Sequence, residues 1–179
     1  MWNRSTGCPT HGFALVVCRH PLTQKWLAVL EQKNRGWWLP GGFVEGGDDF
    51  VTTAHKECLE EAGINIDLKG VLRVEHSMDA AHRGARMRVI FYALPSDPNQ
   101  IPKQVADRES VKAEWLSLPE LQDLSTKEPP EGLRGPELLD WAAYIENGGT
   151  IYPLEVFTTE HAAVPIVEKK NTEPHQEEG

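Results

Sequence analysis

Residues 41–64 read GGFVEGGDDFVTTAHKECLEEAGI, and how this stretch is read decides the fold. A glycine-rich turn opens into a helical pattern. Glu57, Glu60 and Glu61 stand at offsets of zero, three and four, which places their side chains on one face of an α-helix. Three carboxylates so placed repel one another unless a cation sits among them, and all-oxygen donors suit Mg²⁺ or Mn²⁺ rather than zinc. Val51, Ala54, Cys58 and Ala62 form an apolar stripe about 100° round the same helix, so one side packs while an adjoining side presents acid. Asp48 or Asp49 caps the start, and Gly63 is the stop signal. Upstream, Leu39-Pro40-Gly41-Gly42 breaks the preceding strand and lets the backbone pass close to whatever the helix binds.

The spaced positions carry a resemblance. Gly42, five residues, Asp48, seven residues, then Lys56-Glu57-Cys58-Leu59-Glu60-Glu61-Ala62-Gly63-Ile64 resembles the Nudix box. The match departs twice: Asp48 stands where the family usually has Glu, and Lys56 where it has Arg. Asp is one methylene shorter, and Lys keeps the charge without the planar fork that grips a carboxylate bidentately. The resemblance extends over residues 12–145, the box being its specific part. It implies an α/β/α sandwich, with a mixed β-sheet between the box helix and a C-terminal helix. It implies metal-dependent hydrolysis of a P–O–P link in a nucleoside diphosphate derivative or related small diphosphate. On that reading Glu57, Glu60 and Glu61, with the Gly42 carbonyl, hold Mg²⁺ or Mn²⁺. Lys56 orients Glu57, and Glu57 or a loop acid serves as general base. The resemblance also suggests a homodimer.

Outward from the box, the strands alternate. Residues 12–19, 25–31 and 37–40 read as strands, separated by turns at His20-Pro21 and Asn34-Arg35-Gly36. Trp37 and Leu39 share one face of the third and Trp38 takes the other; a tryptophan here, Trp37 in the substrate assignment, could stack on a base. Beyond the box, residues 68–77 read as a strand with Leu72, Val74 and His76 on its apolar face and Arg73 and Glu75 opposite. In the next, residues 86–94, Met87, Val89, Phe91 and Ala93 oppose Arg86, Arg88 and Tyr92. Pairing these two strands gathers Arg73, Arg86 and Arg88 beside Glu75, a candidate phosphate-binding face because arginine offers a rigid donor fork. His82 and Arg83 in the intervening loop are weaker candidates. Before the strand at residues 113–118, Glu109 is the first choice for a further loop acid and Asp107 the second. A short helix at residues 119–124, a Pro-rich link at 126–132 and a helix at 136–147 follow. Residues 150–158 read as an added edge segment that Pro153 keeps short.

Composition bounds the rest. The 179 residues suit one domain, with 40% hydrophobic and 25% charged residues. Residues 1–11 read as an N-terminal segment, 12–158 as the domain and 159–179 as a polar tail, disordered from about 168 onward. A net charge of −9 argues against DNA, RNA or an anionic membrane as partner. Three cysteines make no disulfide framework, and no apolar run reaches spanning length, so a cytoplasmic protein is expected. Cys8, His11, Cys18 and His20 are too irregularly spaced for zinc. Two other functions compete with the hydrolase: a non-catalytic nucleotide- or partner-binding module on the same scaffold, and an RNA 5′-end pyrophosphohydrolase. The intact carboxylates argue against the first, and the acidic charge against the second.

Overall fold

The structure, a computed structural model, describes residues 8–79, 84–158 and 160–164. Seven strands and three α-helices run in the order β1 (Thr10–Cys18), β2 (Trp26–Glu31), β3 (Gly36–Trp38), β4 (Gly41–Phe43), α1 (Phe50–Ala62), β5 (Ile66–Asp79), β6 (Gly84–Pro95), β7 (Ser110–Leu116), α2 (Leu118–Ser125) and α3 (Glu137–Glu146). The strands divide between two sheets. One is mixed, in the order β4-β1-β6-β5, with β1 and β6 parallel; the other is antiparallel, in the order β3-β2-β7.

Period-two alternation builds an apolar cluster on each face of the strands. Ala14, Val16 and Cys18 of β1, Leu27 and Val29 of β2, and Val89, Phe91 and Ala93 of β6 meet Ala54, Cys58 and Ala62 of α1. On the other face Leu15, Val17, Trp26, Ala28 and Ile90 meet Leu121 of α2 and Leu138, Trp141 and Ala142 of α3. The expected α/β/α sandwich is therefore what forms. Small residues on the packing face of α1 let the helix sit close to the sheet, and that closeness builds the site described below.

Local signals held at both ends of α1. Asp49 accepts a hydrogen bond from Thr52 N–H at 2.7 Å, and Gly63 closes the helix at φ 70°. Helix α2 starts with a reciprocal capping box between Ser117 and Glu120, the S-x-x-E signature of a helix start.

Three expectations need correction. The Gly41-Gly42 turn is in fact β4, paired antiparallel with β1. In β5 the register shifts between Val71 and Arg73, so Leu72 bulges out of the alternation and joins the α3-side cluster. Val71 takes the α1 side, and His76, expected on an apolar face, is exposed. The segment 150–158 adds no strand. Tyr152 makes one bridge to Val71, and Leu154–Val156 then form a 3₁₀ turn.

The sequence-read tail from about 168, His82 and Arg83 lie outside the described residues. Among the described residues no helix is long and apolar enough to cross a membrane. The zinc reading finds no support: Cys18 is buried in the core, and both His20 ring nitrogens are engaged, Nδ1 by Leu22 and Thr23 N–H and Nε2 by the Pro98 carbonyl at 2.9 Å.

Candidate active site

The acid face of α1 meets β4. Gly41 N–H donates to Glu61 Oε2 at 2.9 Å. Glu57 lies against Gly42 so closely that a Cβ there would overlap its carboxylate. The two glycines thus make room for two carboxylates at the edge of the mixed sheet. Glu60, one turn on, is exposed.

These carboxylates raise one another's proton affinity. Burial, then repulsion from Glu60, pushes Glu57 up to about 7, with Lys56 opposing and Glu109 and Glu45 adding to the rise. Burial pushes Glu61 up to about 8, against the Gly41 hydrogen bond, with Glu57, Glu31 and Glu109 adding to it.

Lys56 does not reach Glu57 directly. Its Nζ lies 2.6 Å from Glu45 and 3.7 Å from Asp48, so it ties α1 to the preceding loop. The expectation that Lys56 orients Glu57 is corrected on this point: Lys56 fixes the loop and acts on Glu57 through its charge. Asp48 and Lys56, the two departures from the box pattern, pair with each other, and Glu45 joins them.

The loop before β7 wraps the other end of α1. Ser110 Oγ donates to the Glu61 carbonyl at 2.6 Å, and Lys103 Nζ donates to the Glu60 carbonyl at 2.8 Å. Asp107 braces this loop, accepting from Lys103 Nζ at 2.6 Å and from Glu109 N–H at 2.9 Å. The Lys103 hydrogen bond holds it down at about 2. Asp107 is therefore committed to the turn, while Glu109 pairs with Arg108 at 2.7 Å and lies in the field of both Glu57 and Glu61.

Arg73, Arg86 and Arg88 share one face with Glu75, as the alternation predicts, and that face is the α3 side of the mixed sheet. Arg88 is already engaged, with Glu75 at 2.6 Å on one side and Glu137 of α3 on the other. Arg73 lies 4.7 Å over the Trp141 ring and 3.6 Å from Glu75. Arg86 lies 4.5 Å over Phe13, whose ring packs edge-on against the exposed Phe43. A cavity of about 380 Å³ is lined by Glu75, Ser77, Arg86 and Arg88. The carboxylates of α1 sit on the opposite side of the sheet, against Gly41 and Gly42 of β4. From β4, Arg86 is two strands away, roughly 10 Å at the usual strand spacing.

Trp37 departs from its expected role. Only 8% exposed, it belongs to the α3-side core, and Lys112 Nζ lies 5.3 Å over its ring. Its neighbour Trp38 packs against the same cluster, half-buried, with the Arg134 guanidinium 5.0 Å over it. Glu31 and Arg134 escaped the sequence reading. Glu31 ends β2 and pairs with Arg134 at 2.8 Å; nothing in the pattern of either segment signals that they meet. A separate apolar cleft of about 470 Å³ lies between Phe50, Leu154 and Phe157. It sits about 10 Å along α1 from Glu57 at the helical rise, away from the carboxylate face.

The donors fit a hard divalent cation in kind. Glu57, Glu60 and Glu61 are all oxygen donors, and burial raises two of them. Among the described residues no three His, Cys, Asp or Glu side chains already converge on one point. Glu61 is turned to Gly41 N–H instead, as mutually repelling carboxylates will do when a backbone donor is at hand.

A family model described as NUDIX domain matches residues 8–141. The chain is 31% identical over 97 residues to nucleoside diphosphate-linked moiety X motif 6 of Xenopus laevis, covering 52% of this chain and 44% of that one. It is 34% identical over 93 residues to 8-oxo-dGDP phosphatase NUDT18 of Homo sapiens, covering 50% of this chain and 27% of that one. The chain thus spans less than half the length of these curated relatives. Among solved structures, a NUDIX hydrolase from Nitrosomonas europaea superposes with a TM-score of 0.63 at 21% identity, covering 87% of this chain and 99% of that one. A UDP-X diphosphatase does so at 0.54 and 17%, covering 82% and 66%. At those identities the likeness is one of fold.

Proposed function

The chain belongs to the NUDIX domain family, and from that premise we propose that it hydrolyses a phosphoric anhydride. The bond is the P–O–P link of a nucleoside diphosphate derivative or related small diphosphate, and the reaction uses Mg²⁺ or Mn²⁺. The observation that carries this reading is the seating of Glu57 on Gly42 and of Glu61 on Gly41 N–H. There carboxylates meet a stretch of backbone that carries no side chains.

Glu57, Glu60 and Glu61, with the Gly42 carbonyl, would hold the ion. When bound, it supplies positive charge against the phosphate oxygens and lowers the pKa of a coordinated water. The chain's own groups do the rest. Gly41 and Gly42 present no side chain, so a phosphate can approach the backbone. Lys56, paired with Glu45 and Asp48, keeps the loop ahead of α1 in place. Glu109, in the field of Glu57 and Glu61, would take up a proton as water attacks phosphorus. Of the two groups joined through the pyrophosphate, the one that is not the nucleoside would lie across the β4 edge toward Phe43, Arg86 and Arg73. Arg88, held by two carboxylates, would shape that face rather than grip phosphate.

The test is product release from a panel of diphosphates, with Mg²⁺ or Mn²⁺ and again with a chelator. Turnover that needs the cation supports the reading; equal turnover with the chelator refutes it.

A further inference from the structure

We infer that Arg134, seated on the Trp38 ring and held by Glu31, reads the base of the bound nucleotide and selects guanine over adenine. The inference rests on the hydrolase reading for the presence of a nucleotide, and on separate residues for its choice of base.

The link between α2 and α3 does more than connect them. Trp37 N–H donates to the Gly132 carbonyl at 3.0 Å, and Arg134 N–H donates to the Trp37 carbonyl at 2.9 Å. Leu133 thereby forms a parallel bridge to Trp37, and the link runs beside β3 as a further edge. This registers Arg134 next to Trp38. Its guanidinium lies 5.0 Å over the indole, and one N–H is given to Glu31 at 2.8 Å. The Arg134 side chain is 43% exposed while that of Glu31 is 13% exposed, so the pair is anchored from below and open above. Glu31 Oε2 is buried with no hydrogen-bond partner among the described residues, a cost that invites a functional explanation.

The location suits a base. From Trp38 the chain reaches Gly41 in three residues, at most ~10 Å. A diphosphate at Gly41 and Gly42 would carry its nucleoside to this edge. Arginine offers donors only. A guanidinium held over an indole and by Glu31 offers a planar fork that matches the O6 and N7 acceptors of guanine, whereas adenine places an amino donor at the same edge.

The experiment is calorimetric titration with dGDP and dADP in the presence of Mn²⁺, on the parent chain and on Arg134→Ala, Arg134→Lys, Glu31→Gln and Arg35→Ala. Melting curves confirm that each variant is folded. The parent binds dGDP at least about tenfold more tightly, as one lost bidentate contact predicts. Arg134→Ala and Arg134→Lys both bring the ratio close to one, because lysine restores the charge but not the fork. Glu31→Gln lowers the ratio in the same direction. Arg35→Ala, which removes a cation 3.8 Å from the same Glu31, keeps it. No preference in the parent, an unchanged preference in Arg134→Ala, or full rescue by lysine overturns the inference. Selective dGDP binding with no turnover across the diphosphate panel would sink the hydrolase reading alone; turnover without base preference would sink this one alone.

Discussion

Glu57 lies directly on Gly42, and a single methyl group at that glycine would collide with the glutamate's carboxylate. The collision is with the tip of a side chain, not with backbone. Gly42→Ala should therefore fold with a melting temperature near the parent's, yet move Glu57 by about 1 Å and lower kcat by roughly 10²-fold. Gly41→Ala makes the opposite contrast: its Cβ would meet the Ala14 carbonyl of the neighbouring strand, so stability falls first. Melting curves and steady-state rates on the two variants check both halves.

Removing one carboxylate at a time should separate their roles. Glu57→Gln and Glu61→Gln each lower Mn²⁺ affinity, measured by titration, and abolish or nearly abolish turnover. Glu109→Gln keeps Mn²⁺ binding and lowers kcat by roughly 10²- to 10⁴-fold, the range for a proton-transfer group. Loss of Mn²⁺ binding in Glu109→Gln would make it a ligand instead.

The raised carboxylates tie stability to pH. Burial holds Glu57 up at about 7 and Glu61 up at about 8, from an ordinary 4.5. In the unfolded chain both ionise near the ordinary value. Their stabilising contribution is therefore present below that value and lost as pH rises toward 7 and then 8, because the unfolded chain has already shed protons the folded chain keeps. With chelator present the melting temperature should fall between about pH 5 and about pH 8, and Mn²⁺ should restore it at the upper end by binding the ionised carboxylates. A melting temperature that rises over this range, or ignores Mn²⁺, contradicts the assignment.

The helix of the box was legible because spacing alone puts Glu57, Glu60 and Glu61 on one face, with Asp49 and Gly63 as its ends. The strands were legible where alternation is unbroken, as in β6. The reading failed where pairing overrides local pattern. Gly41-Gly42 looks like a turn by propensity, but β1 offers it a partner. Leu72 breaks the alternation of β5 through a bulge that only the register with β6 reveals. The Lys56 partners and the Glu31–Arg134 pair depend on loops whose approach no periodicity encodes. Trp37 and Trp38 are adjacent aromatics, and which is buried follows from the α2–α3 link crossing beside β3.

The C-terminal segment should matter to the box helix. Phe157 packs edge-on against Phe50 at the start of α1, with ring centroids 5.2 Å apart, and against Phe91 at 6.1 Å. It is half-buried, so Phe157→Ala should cost about 1–2 kcal/mol, less than the roughly 3–5 of a fully buried phenylalanine. Denaturant unfolding measures it. A change within about 0.5 kcal/mol, the usual range for surface positions, would show that the strap contributes little.

The most direct test of the hydrolase account is phosphate-product release from a panel of nucleoside diphosphate derivatives with Mn²⁺, comparing the parent with Glu61→Gln. The account predicts turnover of at least one compound by the parent, its loss with chelator, and its near-abolition in the folded variant. Undiminished turnover in folded Glu61→Gln, or none by the parent on compounds that it binds, would contradict it.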